Sequence, residues 1–127
     1  MNKNFFGKKL VECSKDPLTG FKRNGCCESV VGDYGKHIVC AQVDQRFLDY
    51  SLKNGNDLIT PNKENIFPGL KEGDRWCLCA GRWLQAYEEG YAPKIILSST
   101  SIEIIKYIDL EIPVSYTHLT LPTNSRV

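Results

Sequence analysis

The ten residues 74–83 (DRWCLCAGRW) constrain the fold of this chain more than any other segment. Their alternation is that of a half-buried strand, with Trp76, Leu78 and Ala80 on one face and Cys77 and Cys79 on the other. From Arg82 the pattern becomes that of an amphipathic helix, stopped by Gly90. A strand that runs so directly into a helix must bury one face of each against a shared core.

The same arrangement occurs upstream. Residues 37–43 (HIVCAQV) read as a strand, and Asp44 is a good N-cap for a helix carrying Phe47, Leu48, Ser51 and Leu52 on one stripe. Asn54-Gly55 ends that helix. The echo between residues 39–41 (VCA) and 78–80 (LCA) would place Cys40 and Cys79 at equivalent strand ends. A third strand is expected at 94–98, and Thr100-Ser101-Ile102-Glu103 has the capping-box pattern of another helix. Turn signals at Pro17 to Gly20 and Asn24-Gly25 make the first third loop-rich. A long polar connection, 56–74, holds Pro61, Pro68, Gly69 and Gly73. The expected fold is α+β: a short mixed sheet of three to four strands packed against two to three helices.

The length of 127 residues sets one domain. Sixteen basic residues against 15 acidic ones create no global field for nucleic acid or an anionic membrane. No apolar run approaches the roughly 18 residues that span a bilayer. Residues 1–9 carry lysines but no apolar stretch of the secretory type, which places the chain in the cytoplasm.

Residues 113–127 (PVSYTHLTLPTNSRV) change character. Asp109 looks like the N-cap of a last helix, in which Pro113 would disrupt the turn. The segment has no clear period and resembles translated adapter read-through. The division is therefore 1–112 as the α+β domain and 113–127 as a non-native or disordered tail, with His118 set aside.

Six cysteines, Cys13, Cys26, Cys27, Cys40, Cys77 and Cys79, carry most of the chemical options. In a reducing compartment they point to metal, redox chemistry or plain burial as small hydrophobes. Disulfides within the motifs fit badly. Alternate strand positions lie about 6.5–7 Å apart at Cα, at or beyond the upper edge of cystine geometry, and a Cys26–Cys27 bond would strain its peptide. A zinc site drawn from Cys26, Cys27, His37, Cys77 and Cys79 is one alternative, although the usual knuckle spacings are missing. A reactive thiol at Cys77 or Cys79 is another. Arg75 and Arg82 would stabilise its thiolate, Cys79 precedes a helix N-terminus, and Cys26 or Cys27 would act as resolving thiol.

His37 reads as a hydrogen-bonded structural histidine, with a metal ligand or a base as the alternative. Asp16, Thr19, Arg23 and Asn24 form one polar cluster that is either ligand-binding or a turn with Asp16 as cap. Asp74 and Arg75 hold an anionic or polar ligand, or fix the loop as a salt bridge. Trp76 and Trp83 read as core. No Walker, Rossmann or catalytic-triad pattern stands out.

Several blocks occur together in a familiar order: residues 13–21 (CSKDPLTGF), 24–27 (NGCC), 37–41 (HIVCA), 55–58 (GNDL), 67–70 (FPGL) and 73–80 (GDRWCLCA). In this the chain, from about residue 5 to 112, resembles the uncharacterised bacterial family called domain of unknown function 2237. The resemblance implies a small fold and assigns no site. The expected function is binding of a small polar ligand or a protein partner. A thiol-based redox enzyme or sensor using Cys77/Cys79 is the alternative, and a structural zinc domain the second. No cofactor is expected unless zinc.

Overall fold

A computed structural model describes residues 2–109 and 111–116. Strand β1 (His37–Gln42) is central, flanked by β2 (Arg75–Cys79) and a two-residue β3 (Lys94–Ile95), in the order β2-β1-β3. Both pairings are antiparallel. The α+β class holds, while the mixed sheet expected is antiparallel among its strands, and the third strand is shorter than its sequence pattern suggested.

Alternation along β1 and β2 separates two buried clusters. Val39, Ala41, Trp76 and Leu78 join the main core with Phe47, Leu48, Trp83, Ile95 and Ile104. Cys40 and Cys77, cross-strand neighbours, face a second cluster with Cys13 and Cys27. Loops from the N-terminal third cover this second face. Two buried hydroxyls bond the strand backbone on this face: Thr19 Oγ1, from those loops, accepts from the Cys77 N–H at 2.9 Å, and Thr100 Oγ1, from beyond β3, accepts from the Cys40 N–H at 3.0 Å.

Two disulfides staple those loops down, Cys13–Cys40 and Cys27–Cys77, with Cα separations of 5.8 and 5.2 Å. The sequence reading discounted bonds within each motif, and Cys26–Cys27 and Cys77–Cys79 are indeed unbonded as pairs. It did not anticipate bonds between motifs, because distant segments meet only once the loops fold back over the sheet.

Helix α1 (Gln45–Lys53) begins where the cap predicts: Asp44 Oδ1 accepts the Phe47 N–H at 2.8 Å. Helix α2 (Ala80–Glu88) starts two residues earlier than expected, directly off β2, with Cys79 as its N-cap residue. Trp83 on α2 is fully buried and donates its indole N–H to Pro93 O at 3.0 Å. The capping-box segment makes a five-residue 3₁₀ helix, Ile102–Lys106, with Ser101 Oγ accepting from Glu103 N–H.

A short helix α3 (Glu111–Ser115) carries Pro113 in its first turn. An N–H is not needed there, so proline fits where the sequence reading expected disruption. Pro113 is buried, and the Tyr116 ring lies against Trp83 and Tyr87 at centroid distances of 5.5 and 5.3 Å. Of the expected tail, Pro113 and Tyr116 make these contacts while Val114 is exposed; 117–127, with His118, lie outside the described residues. No helix among those described is long and apolar enough to cross a membrane.

Candidate active site: a thiol, an imidazole and a buried carboxylate

The site begins with an irregularity in the sheet. Pairing shifts between His37↔Cys79 and Val39↔Leu78, so Ile38 is the extra residue of a bulge in β1. The bulge sets His37 directly across from Cys79, at the point where β2 turns into α2.

A tight turn leads into β1. Lys36 N–H donates to Asp33 O at 3.2 Å, and Lys36 O accepts from Ala80 N–H at 3.0 Å, which ties the turn to the start of α2. Asp33 is 1% exposed and spends both carboxylate oxygens on one residue. Oδ2 accepts the His37 backbone N–H at 2.8 Å, and Oδ1 lies 2.7 Å from His37 Nδ1. The other ring nitrogen, Nε2, is 3.2 Å from Cys79 Sγ. Phe21 stacks against the imidazole at 6.1 Å between centroids.

Hydrogen bonding to Cys79 is the main force raising His37 to about 9; burial opposes it, and the charges of Cys79 and Asp33 with the Asp33 hydrogen bond add to the rise. An imidazolium donates from both nitrogens, here to Asp33 and to the sulfur. Gly35 makes room for this arrangement. A Cβ there would lie 2.8 Å from His37 Cε1, 3.3 Å from Nδ1 and 3.4 Å from Cys79 Sγ.

Two depressions flank the relay. Cys79 opens into a groove of about 450 Å³ whose walls include Tyr34, Lys36, Gly81, Arg82 and Tyr107. A larger cleft of about 630 Å³ has His37 on its wall, with Phe21, Arg23, Asn62, Phe67 and Trp76, but does not include Cys79. Size alone would favour the larger space, yet a reagent reaches sulfur through the smaller one. That groove also borders the first turn of α2, whose Gly81 and Arg82 N–H groups lack intrahelical acceptors by position.

The predicted site residues separate accordingly. Cys79 is a free thiol, but Cys77 is bonded to Cys27 and both are buried, so Cys77/Cys79 do not form a reactive dithiol pair. Cys26 is free and half-buried; burial, then Glu28 and Glu12, pushes its thiol up. Arg75 sits at the opposite end of β2, about 13 Å along the strand from Cys79, whereas Arg82 does border the thiol's groove. The zinc set expected from the sequence is not assembled as such. His37 and Cys79 meet, while Cys27 and Cys77 are joined elsewhere.

Three members of the polar cluster make bonds that hold the fold. Thr19 anchors β2. Asn24 caps its own turn, accepting from Cys26 N–H and donating to Glu28. Arg23 donates to Gly20 O and Asn65 O and lies 5.1 Å over Trp76. Asp74 accepts from Lys71 through backbone and ammonium, fixing the loop with Lys71 in place of the expected Arg75. It shares a shallow depression with Asp16.

Asp33 and Gly35 carry no site expectation from the sequence, and for His37 the sequence favours a structural role over that of a ligand or base. The available signal was the turn Gly32-Asp33-Tyr34-Gly35, which sets an acid four residues before a histidine.

A family model described as "Uncharacterized protein conserved in bacteria (DUF2237)" matches residues 3–117. The chain belongs to this family. Membership in DUF2237 covers every residue of the Asp33–His37–Cys79 relay, and it agrees with the resemblance carried by the sequence blocks. No curated protein matches this DUF2237 chain.

Proposed function

We propose that this DUF2237 protein is a cysteine-nucleophile enzyme acting on the carbonyl carbon of a small polar acyl compound. The observation that carries the reading is the chain of contacts from Asp33 through His37 to Cys79. A buried carboxylate fixes the imidazole, and the imidazole addresses the thiol, which is the arrangement that activates sulfur for acyl transfer.

In this scheme Cys79 sulfur, its proton held on His37 Nε2, bonds to the substrate carbonyl carbon. The oxyanion that forms is received by the first-turn amides of α2, at Gly81 and Arg82. His37 returns the proton to the leaving group as the carbonyl reforms, leaving an acyl–sulfur bond. Water then attacks that bond with His37 as base, releasing the acid and restoring the thiol. Lys36 and Arg82 on the groove favour a substrate with an anionic or strongly polar end. The small polar ligand expected from the sequence is, in this reading, the substrate.

The test is acylation by an activated ester, followed by intact mass and peptide mapping. One acyl group on Cys79, with a burst of leaving group, is the expected result. His37→Ala should slow the burst about a hundredfold or more. Acylation spread over Cys26 and Cys79 at the rate of a free thiol would overturn the reading.

A further inference from the structure

The relay leaves the second buried cluster unexplained. Cys13, Cys27, Cys40 and Cys77 are between 0 and 4% exposed and converge from two N-terminal loops, β1 and β2. The Cys13 sulfur, itself bonded to Cys40, lies within 4.8 Å of both sulfurs of the Cys27–Cys77 cystine. Cys40 is bonded to Cys13 and stands directly opposite Cys77 in the sheet register. Two separate cystines need no such convergence. Four thiolates around one tetrahedral cation do, because zinc–sulfur bonds of about 2.3 Å place the sulfurs somewhat under 4 Å apart.

We propose that these four cysteines form a redox-gated site for one thiophilic cation of the zinc class, closed by the disulfides and opened by a thiol reductant. Each cystine takes up two electrons and two protons from a dithiol, which leaves as its own disulfide. Two dithiols therefore free four thiols. A zinc ion binding to them displaces their protons to solvent, and no further electron transfer is needed. The Cys13 sulfur already stands within 4.8 Å of both sulfurs of the Cys27–Cys77 cystine, so opening the two cystines leaves the thiols in one buried cluster. Thr19 and Thr100, holding the backbone of Cys77 and Cys40, keep two ligands in place when the disulfides open. This set differs from the one expected from sequence: it excludes His37, Cys26 and Cys79.

The experiment uses the full chain with its free thiols blocked. The oxidised protein is alkylated to cap Cys26 and Cys79, then reduced with a water-soluble phosphine, which leaves as its oxide. Cobalt(II) is the probe. The expected result is one equivalent per chain, with sulfur-to-cobalt charge transfer and tetrahedral d–d bands, bleached by one equivalent of zinc and absent before reduction. Far-UV circular dichroism with zinc should match that of the oxidised chain. Absence of the bands after reduction overturns the proposal, as does a reduced chain that stays unfolded in zinc. A Cys13→Ser variant, reduced in the same way, should lose the four-sulfur spectrum; an unchanged spectrum would also overturn it. Acylation of Cys79 is read separately, so failure here leaves the relay unaffected.

Discussion

At the scale of single residues, Asp33 has the most testable role. It is buried and, among the described residues, its side chain bonds His37 alone, so Asp33→Asn keeps the shape while weakening the hold on the imidazole. Alkylation of Cys79 at neutral pH should slow at least about tenfold, and its dependence on pH should shift. Gly35→Ala tests the same geometry from above. The added Cβ meets the His37 ring at 2.8 Å, so the ring must turn from Asp33 or from sulfur. Alkylation should fall about tenfold to a hundredfold. Cys79 was legible in the sequence as a thiol at a strand end before a helix. Its partners were not, because the bulge at Ile38 sets which residue faces Cys79 and bulges leave no mark in an apolar–polar pattern.

At the scale of elements, the strand–helix pairs were readable because cap and periodicity agreed. Asp44 illustrates it: its side chain takes the Phe47 N–H, and Asp44→Ala should cost about 0.5–2 kcal/mol in urea unfolding without altering Cys79 reactivity. Elements whose form depends on distant contacts were less readable. Thr100-Ser101-Ile102-Glu103 caps a helix as its pattern implies, but a 3₁₀ one. The expected third strand stops at Ile95, after which Leu97–Ser99 forms another 3₁₀ turn. Arg75 shows the limit of sequence proximity. It is four residues from Cys79, and in an extended strand that is enough to remove it from the site.

At the scale of the whole molecule, His37 links stability to pH. Its value rises from an ordinary 6.5 to about 9 in the folded chain, so the folded state binds this proton more tightly than the unfolded one. The resulting stabilisation is fully present below about 6.5 and is lost as pH rises through about 9. Thermal midpoints should fall across that window in the native chain and fall less in His37→Gln. A midpoint difference that does not change with pH would remove the linkage. Closing loops with separations of 27 and 50 residues stabilises by about 3.5 and about 4 kcal/mol on chain-entropy grounds. The loops overlap between residues 27 and 40, so the two values do not add. Replacing both members of one pair by serine should lower the urea midpoint by most of that amount in metal-free buffer.

The interlacing of those loops also imposes an order of assembly. Four cysteines allow three pairings, and the one found joins first to third and second to fourth. Neighbours along the chain are passed over, so chance collision in an unfolded chain favours the wrong bonds. Native bonding is therefore favoured when the antiparallel pair of β1 and β2 presents Cys40 and Cys77 before the N-terminal loops arrive with Cys13 and Cys27. Oxidation that outruns sheet formation would trap scrambled chains, and the yield of native protein becomes a clock for how early the sheet forms.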